Sequence, residues 1–344
     1  MNKISSNIQG VGFLVLAMLI FSLQDIAVKW IGGDYSVLEI VTLRSLIALP
    51  LTLLFFRYEG GQGLPTTQQS KLEYIRGLFY FLSYTTHFMG LAALPLAEIA
   101  AIKFSAPLMI TFLSVVILGE RVGPRRWLAL LVGFMGVLLI VRPGLATFNM
   151  GSIFILISVL FYALAAILTR KLQTTDSSAT MAYYSSLVYL MATFVLAPLT
   201  IFVGETPDAH PSIAFLFHAW AMPSLLDWII MSGLGLVWAG GMYCLARAYS
   251  LAPASVVAPF EYVALPINVM WGFVIWKEIP KLATWIGASL TLFSGMYILY
   301  RERRERLVKT VLSREKAINI NNHEDAHGQL MADQITRITQ ETNQ

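Results

Sequence analysis

The chain has 344 residues, 57% of them hydrophobic and 13% charged, with a formal net charge of +4. A soluble domain is about a quarter charged, so an apolar surface of this extent has a bilayer as its solvent. The small charge, with no basic stripe interleaved with aromatics, excludes a nucleic-acid face. A single cysteine, Cys244, excludes an internal disulfide and a cysteine-based metal site.

A membrane span needs about 20 mostly apolar residues. In chain order, the apolar runs predict helices over 9–30, 37–57, 74–94, 97–118, 126–142, 150–170, 180–203, 226–250, 254–276 and 282–300. The first has only Lys3 before it and no small-residue cleavage site after it, which reads as a retained helix rather than a signal peptide. Short turns at Leu94-Pro95-Leu96 and Leu251-Ala252-Pro253 make hairpins of their flanking helices. From about Asn319 the chain is polar, rich in Asn, Gln and Thr, and poor in aromatics; no activity is assigned to this tail.

The ten runs divide five and five, and the halves carry a common pattern. At an offset of 158 residues Pro95 falls on Pro253, Ala100 on Ala258, Ala106 on Ala264, Glu120 on Glu278 and Trp127 on Trp285. Internal symmetry between hydrophobic halves is how secondary transporters are built, with the solute site at the repeat interface. Five helices is an odd number, so the second half enters the membrane in the opposite sense and the repeat is inverted. With the N-terminus inside, the cytoplasmic connections hold Lys3, Arg57, Lys71, Arg76, Arg121, Arg125, Arg126, Arg170 and Lys171; the opposite side holds Lys29, Arg142, Lys277 and Lys281. The long connection Gly204 to Leu225 has no Lys or Arg, and Arg301-Glu302-Arg303-Arg304-Glu305-Arg306 closes the last helix. The positive-inside rule therefore puts both termini in the cytoplasm.

These features carry a resemblance. Ten helices in a five-plus-five inverted repeat, Leu94-Pro95-Leu96-Ala97-Glu98, a helix ending Leu118-Gly119-Glu120-Arg121, and the next closed by Val141-Arg142-Pro143-Gly144 resemble the EamA-type branch of the drug/metabolite transporter superfamily. The likeness runs from about residue 9 to 300. It implies two repeats, 9–142 and 150–300, followed by a cytoplasmic tail over 301–344. The second copy departs from the pattern at Trp276-Lys277-Glu278 and lacks the Pro-Gly after Tyr300.

Charges inside apolar spans are costly and become functional candidates: Asp25, Arg44, His87, Lys103, Arg247 and Glu261. The offset relates Lys103 to Glu261, a cation to an anion, each about seven residues into its helix. Pro107 follows Lys103, and Pro259 and Pro266 flank Glu261. Interrupted helices in matching positions of two halves point to a transport site. Arg44, His87 and Lys103 form a cationic group suited to a carboxylate or phosphate. Tyr84, Phe260 and Tyr262 are the aromatics beside these charges. Asp25 and Lys29, four residues apart on one helical face, are expected to pair. Arg247 is expected to snorkel to the inner surface. Glu98, Glu120 and Glu278 lie at helix ends and read as structural, and Gly233, Gly235, Gly240 and Gly241 read as packing positions.

No Walker-type loop, His-Glu-x-x-His or Gly-x-Ser-x-Gly signature is present. The expectation is a secondary transporter, not an enzyme, with no cofactor or metal. It would move a small polar metabolite, zwitterionic or anionic, across a bacterial inner membrane by alternating access. Lys103, Arg44 and His87 would receive the negative end, Glu261 the amino group or a proton, and Asp25 would share the coupling. Protons or a counter-solute would supply the energy. The alternatives are an exporter of lipophilic cationic drugs that uses Glu261 and Asp25, or a polytopic membrane protein without transport activity.

Overall fold

The computed structural model describes residues 3–118, 123–142, 148–172, 175–206, 208–251, 258–298 and 300–301. Residues 1–297 form one compact unit and 298–344 a second; the architecture below is that of the first. Among the described residues the regular structure is entirely helical. In order these are α1 (Lys3–Ile31), α2 (Val37–Tyr58), α3 (Ser70–Leu91), α4 (Leu96–Lys103), α5 (Ala106–Leu118), α6 (Pro124–Val141), α7 (Gly151–Leu172), α8 (Ser178–Val203), α9 (Pro211–Leu216) and α10 (Leu225–Leu251). A 3₁₀ turn (Ala258–Val263), α11 (Ala264–Trp276) and α12 (Leu282–Ile298) complete it. Six stretches are long and apolar enough to cross a membrane, and three apolar helices are shorter. This is a helical membrane protein.

Helix starts follow local chemistry. Ser36 caps α2 by accepting the Leu38 N–H, and Ser177 caps α8 by accepting the Thr180 N–H. Proline stands at the start of α6 and α9, where a missing N–H costs nothing. The long connection after α8, in which no helix was expected, is partly helical. It contains α9, which packs on α2 and α3 and buries Phe215 against Gly32.

Two expected single spans are broken, at matching places. The run 97–118 is α4 and α5 with a turn at Phe104 and Ser105, and the run 254–276 contains a 3₁₀ turn that becomes α-helix only after Val263. Proline crowds the carbonyl four residues back. Pro107 therefore disturbs Lys103, the last residue of α4, and Pro266 disturbs Tyr262, next to the end of the 3₁₀ turn. Phe104 and Tyr262, which are 158 residues apart, meet edge to face with ring centroids 4.7 Å apart.

The helix packing repeats between the halves. α3 lies along α7 as α1 lies along α10, α2 on α10 as α8 on α3, and α4 on α7 as the 3₁₀ turn on α1. Where α6 crosses α12, the Thr291 hydroxyl donates to the Gly133 carbonyl at 3.4 Å, a pair 158 residues apart. A Cβ built on Gly136 would stand 2.7 Å from the Gly287 carbonyl, and one on Gly287 would stand 2.5 Å from the Gly136 carbonyl. The Ser294 hydroxyl bonds the Ala129 carbonyl. Gly136 and Gly287 fall at the offset on Ser294 and Ala129, so these are one contact seen from two halves.

Arg76 is not a loop cation. It is buried in α3, 2.7 Å from Glu73, and its guanidinium also donates to the Met181 carbonyl and the Ser185 hydroxyl of α8. This fully enclosed pair ties α3 to α8.

Candidate functional site

A cavity with about 1020 Å³ of empty space lies among α1, α3, α4, α5, α7, α10, the 3₁₀ turn and α11. Its polar lining comes from Ser22, Gln24, Asp25, Ser83, His87, Lys103, Ser158, Glu261 and Asn268. Aromatic walls come from Phe21, Tyr84, Phe104, Tyr162 and Tyr262. Both helix breaks therefore open onto it, and both halves of the sequence contribute. A large cavity with apolar walls and a few converging polar groups is the form of a small-molecule site.

Asp25 on α1 and His87 on α3 are joined at 3.0 Å, both deeply buried. His87 Nδ1 has no partner among the described residues, and neither has Asn268 Oδ1. Lys103 ends α4 exposed to the cavity, and among the described residues it makes no hydrogen bond or salt bridge. An interrupted helix releases backbone and sets a long side chain at mid-depth without requiring it to leave an apolar wall. Glu261 enters the same cavity from the 3₁₀ turn, so the cation and the anion related by the offset line one space.

The remaining expected residues divide. Tyr84 and Tyr262 line the cavity; Phe260 is 38% exposed and does not. Arg44 does not reach it. Its guanidinium is enclosed by Trp238, Tyr189, Phe88 and Tyr84 at 4.4, 5.1, 5.5 and 5.8 Å from the ring centroids. One nitrogen donates to Gln24 at 3.3 Å, while Nε and the other terminal nitrogen find no acceptor. Arg44 stands behind the wall, backing Gln24 and Tyr84. Arg247 is exposed near the end of α10, the position expected of a snorkelling side chain.

The expected Asp25–Lys29 pair does not form. Lys29 bonds Glu278 at 2.5 Å and the Leu94 carbonyl at 3.0 Å, and lies over the Trp276 ring. The other Glu278 oxygen accepts the Leu96 N–H at 3.0 Å. Local spacing favoured the i,i+4 pair; tertiary contact gave each charge a different partner. Glu278 is thus no loop-facing carboxylate, and Glu98 lies 3.9 Å from Lys281 across the same seam. Glu120 lies outside the described residues. Sequence reasoning missed Glu39, Glu73 and Arg76 as buried charges, although Glu73 and Arg76 stand three apart on one helical face.

A cavity with converging polar groups among the apolar helices of a multi-pass membrane protein is the arrangement of a membrane carrier. The EamA-like transporter family model matches residues 8–142 and again 149–300, and the chain belongs to that family. It is similar to an S-adenosylmethionine uptake transporter of Rickettsia bellii, at 25% identity over 86% of this chain and 94% of that protein. It is also similar to a riboflavin transporter of Vibrio cholerae, at 27% identity over 87% and 97%, and to a pseudopaline exporter of Pseudomonas aeruginosa, at 28% over 82% and 92%. One solved crystal structure superposes with a TM-score of 0.58 at 18% identity, covering 86% of this chain and 98% of that one, which shows a shared fold. The protein is a transporter by family, not an enzyme.

Proposed function

We propose that this protein is a secondary active transporter that carries a small zwitterionic or anionic organic metabolite through the central cavity by alternating access. In this reading ten spans form a five-plus-five inverted repeat with both termini cytoplasmic, in a bacterial inner membrane. The relatives' names support a polar organic solute of metabolite size. The repeated packing, with Phe104 on Tyr262 and Gly133 on Thr291, supports two halves related by a two-fold axis, along which each half can rock against the other.

The observation that carries the reading is the presence of an exposed Lys103 and of Glu261 in the lining of one cavity, with the unpartnered His87 Nδ1 and Asn268 Oδ1. Lys103 takes the solute's carboxylate and Glu261 its amino group. Asn268 and His87 supply the acceptors that orient it, and Tyr84 and Tyr162 pack on its apolar body. Proton coupling belongs to Glu261 and to the Asp25–His87 pair, where one proton changes whether a buried charge is balanced. Arg44 supports the wall and does not touch solute.

The test is counterflow of radiolabelled solute into proteoliposomes, screened across amino acids, S-adenosylmethionine, riboflavin and organic cations. Wild type is expected to exchange a zwitterion or anion. Lys103→Ala is expected to abolish exchange, and Glu261→Gln to abolish gradient-driven uptake. Exchange of organic cations alone, unaffected by Lys103→Ala, would overturn the reading in favour of drug export.

A further inference from the structure

A second cavity, with about 820 Å³ of empty space, is lined by Val28, Lys29, Leu91, Phe215, His218 and Trp276, among others. It shares three elements with the central cavity, displaced along each. On α1 the lining moves from Asp25 to Lys29, on α3 from His87 to Leu91, and on α11 from Asn268 to Trp276. At 1.5 Å per residue these are axial steps of about 6 to 12 Å. The second cavity is thus offset from the first along each helix, and Val28 and Leu91 of its wall belong with Leu94, Leu96 and Ile99 to one buried apolar cluster.

Lys29, which lines the second cavity, pairs with Glu278 beside this cluster. The Lys29 ammonium is shared between Glu278 and the Leu94 carbonyl, and the Glu278 carboxylate between Lys29 and the Leu96 N–H. Three bonds thus join α1, the turn before α4 with that helix's first residue, and Glu278, two residues beyond α11. The pair binds the first half of the sequence to the second. It is only partly enclosed, with side chains 14% and 20% exposed, and lies against a cavity that reaches Lys29 itself. A permanent strut would be better placed out of reach of solvent; a contact that must open needs an accessible partner.

We propose that Lys29 and Glu278 are the outer gate of the solute path, shut in this structure, and that the second cavity is its vestibule. The inference rests on the transport reading above. A solute carboxylate arriving in the vestibule competes with Glu278 for Lys29, so the gate answers to the same class of solute that Lys103 binds below. Releasing Glu278 also frees the Leu96 N–H at the start of α4, the helix that carries Lys103.

The chain's single cysteine makes the test direct. In a Cys244→Ser background, Ala264→Cys puts a thiol on the half-buried wall of the central cavity. A membrane-impermeant thiosulfonate added outside intact cells should label it slowly in the parent. Labelling should quicken about tenfold in Glu278→Gln, the factor for weakening one charge-assisted hydrogen bond. Lys29→Gln should do the same, which keeps the test alive if one variant fails to fold. Lys281→Gln, which removes only the exposed neighbouring pair, should leave the rate unchanged. Equal rates in the parent and both gate variants, or fast labelling in the parent, would overturn the proposal. Labelling needs no solute, so a gate confirmed in a protein that moves nothing in the counterflow screen separates failure of the transport reading from failure of this one.

Discussion

Replacing Arg44 with methionine tests whether a buried, uncompensated charge stabilises this fold. Four aromatic rings lie within 6 Å of the guanidinium, with Trp238 nearest at 4.4 Å. In a desolvated site such contacts sum to about 3–5 kcal/mol, and the long Gln24 bond adds about 1. Against this stand two donors without acceptors, at about 1–3 kcal/mol each, and several kcal/mol for taking the charge out of water. The costs match or exceed the gains. Arg44→Met, which keeps the volume and removes the charge, should therefore cost no more than about 1.5 kcal/mol and can stabilise the fold. Arg44→Ala should lose about 2–4 kcal/mol, because it leaves a void among four rings that cannot collapse together. The assay is the loss of the monomer peak in detergent size-exclusion after stepped heating. If Arg44→Met collapses as readily as Arg44→Ala, the aromatic cage outweighs desolvation and the balance struck here is wrong.

Two further outcomes follow from packing. Gly287→Val should disrupt the α6–α12 crossing, since its Cβ meets a backbone carbonyl at 2.5 Å and backbone cannot yield; a loss of at least about 1–3 kcal/mol is expected in the same heating assay, with Gly240→Ala, where nothing lies within 4 Å, as the harmless comparison. Arg76→Met strands Glu73 in an enclosed site and should cost about 3–5 kcal/mol, while the double change with Glu73→Gln recovers most of it. Failure of the double change to recover stability would show that the Arg76 bonds to α8, not the charge pair, hold that seam.

Much was legible before any coordinates. Apolar runs of membrane length announced the helices because nothing but lipid accommodates so much apolar surface. Lys103 and Glu261 stood out because charges in such runs are costly, and they do share a cavity. Pro107 and Pro266 marked the interruptions, although each run, 97–118 and 254–276, reads as a single span. Less legible were residues whose partner is distant in sequence. The four-residue spacing of Asp25 and Lys29 suggested a pair, yet their partners are 62 and 249 residues away. Arg44 was expected among the solute ligands, and a sequence carries no sign that four rings from three helices will close around it.

The division has a physical basis. Membership of a helix, its length, its breaks and the cost of its charges depend on a residue's near neighbours and on the solvent, and the chain alone determined them: an all-helical membrane protein with a doubled pattern and a short roster of expensive charges. Which charge meets which depends on how helices rotate and slide against one another, through contacts such as Gly136 on Gly287 and Phe104 on Tyr262. Only tertiary packing decided that Asp25 faces His87, that Arg44 is sealed behind the wall, and that Lys29 reaches across the seam to Glu278, because a side chain's energy is set by the dielectric and partners around it and not by its place in the chain.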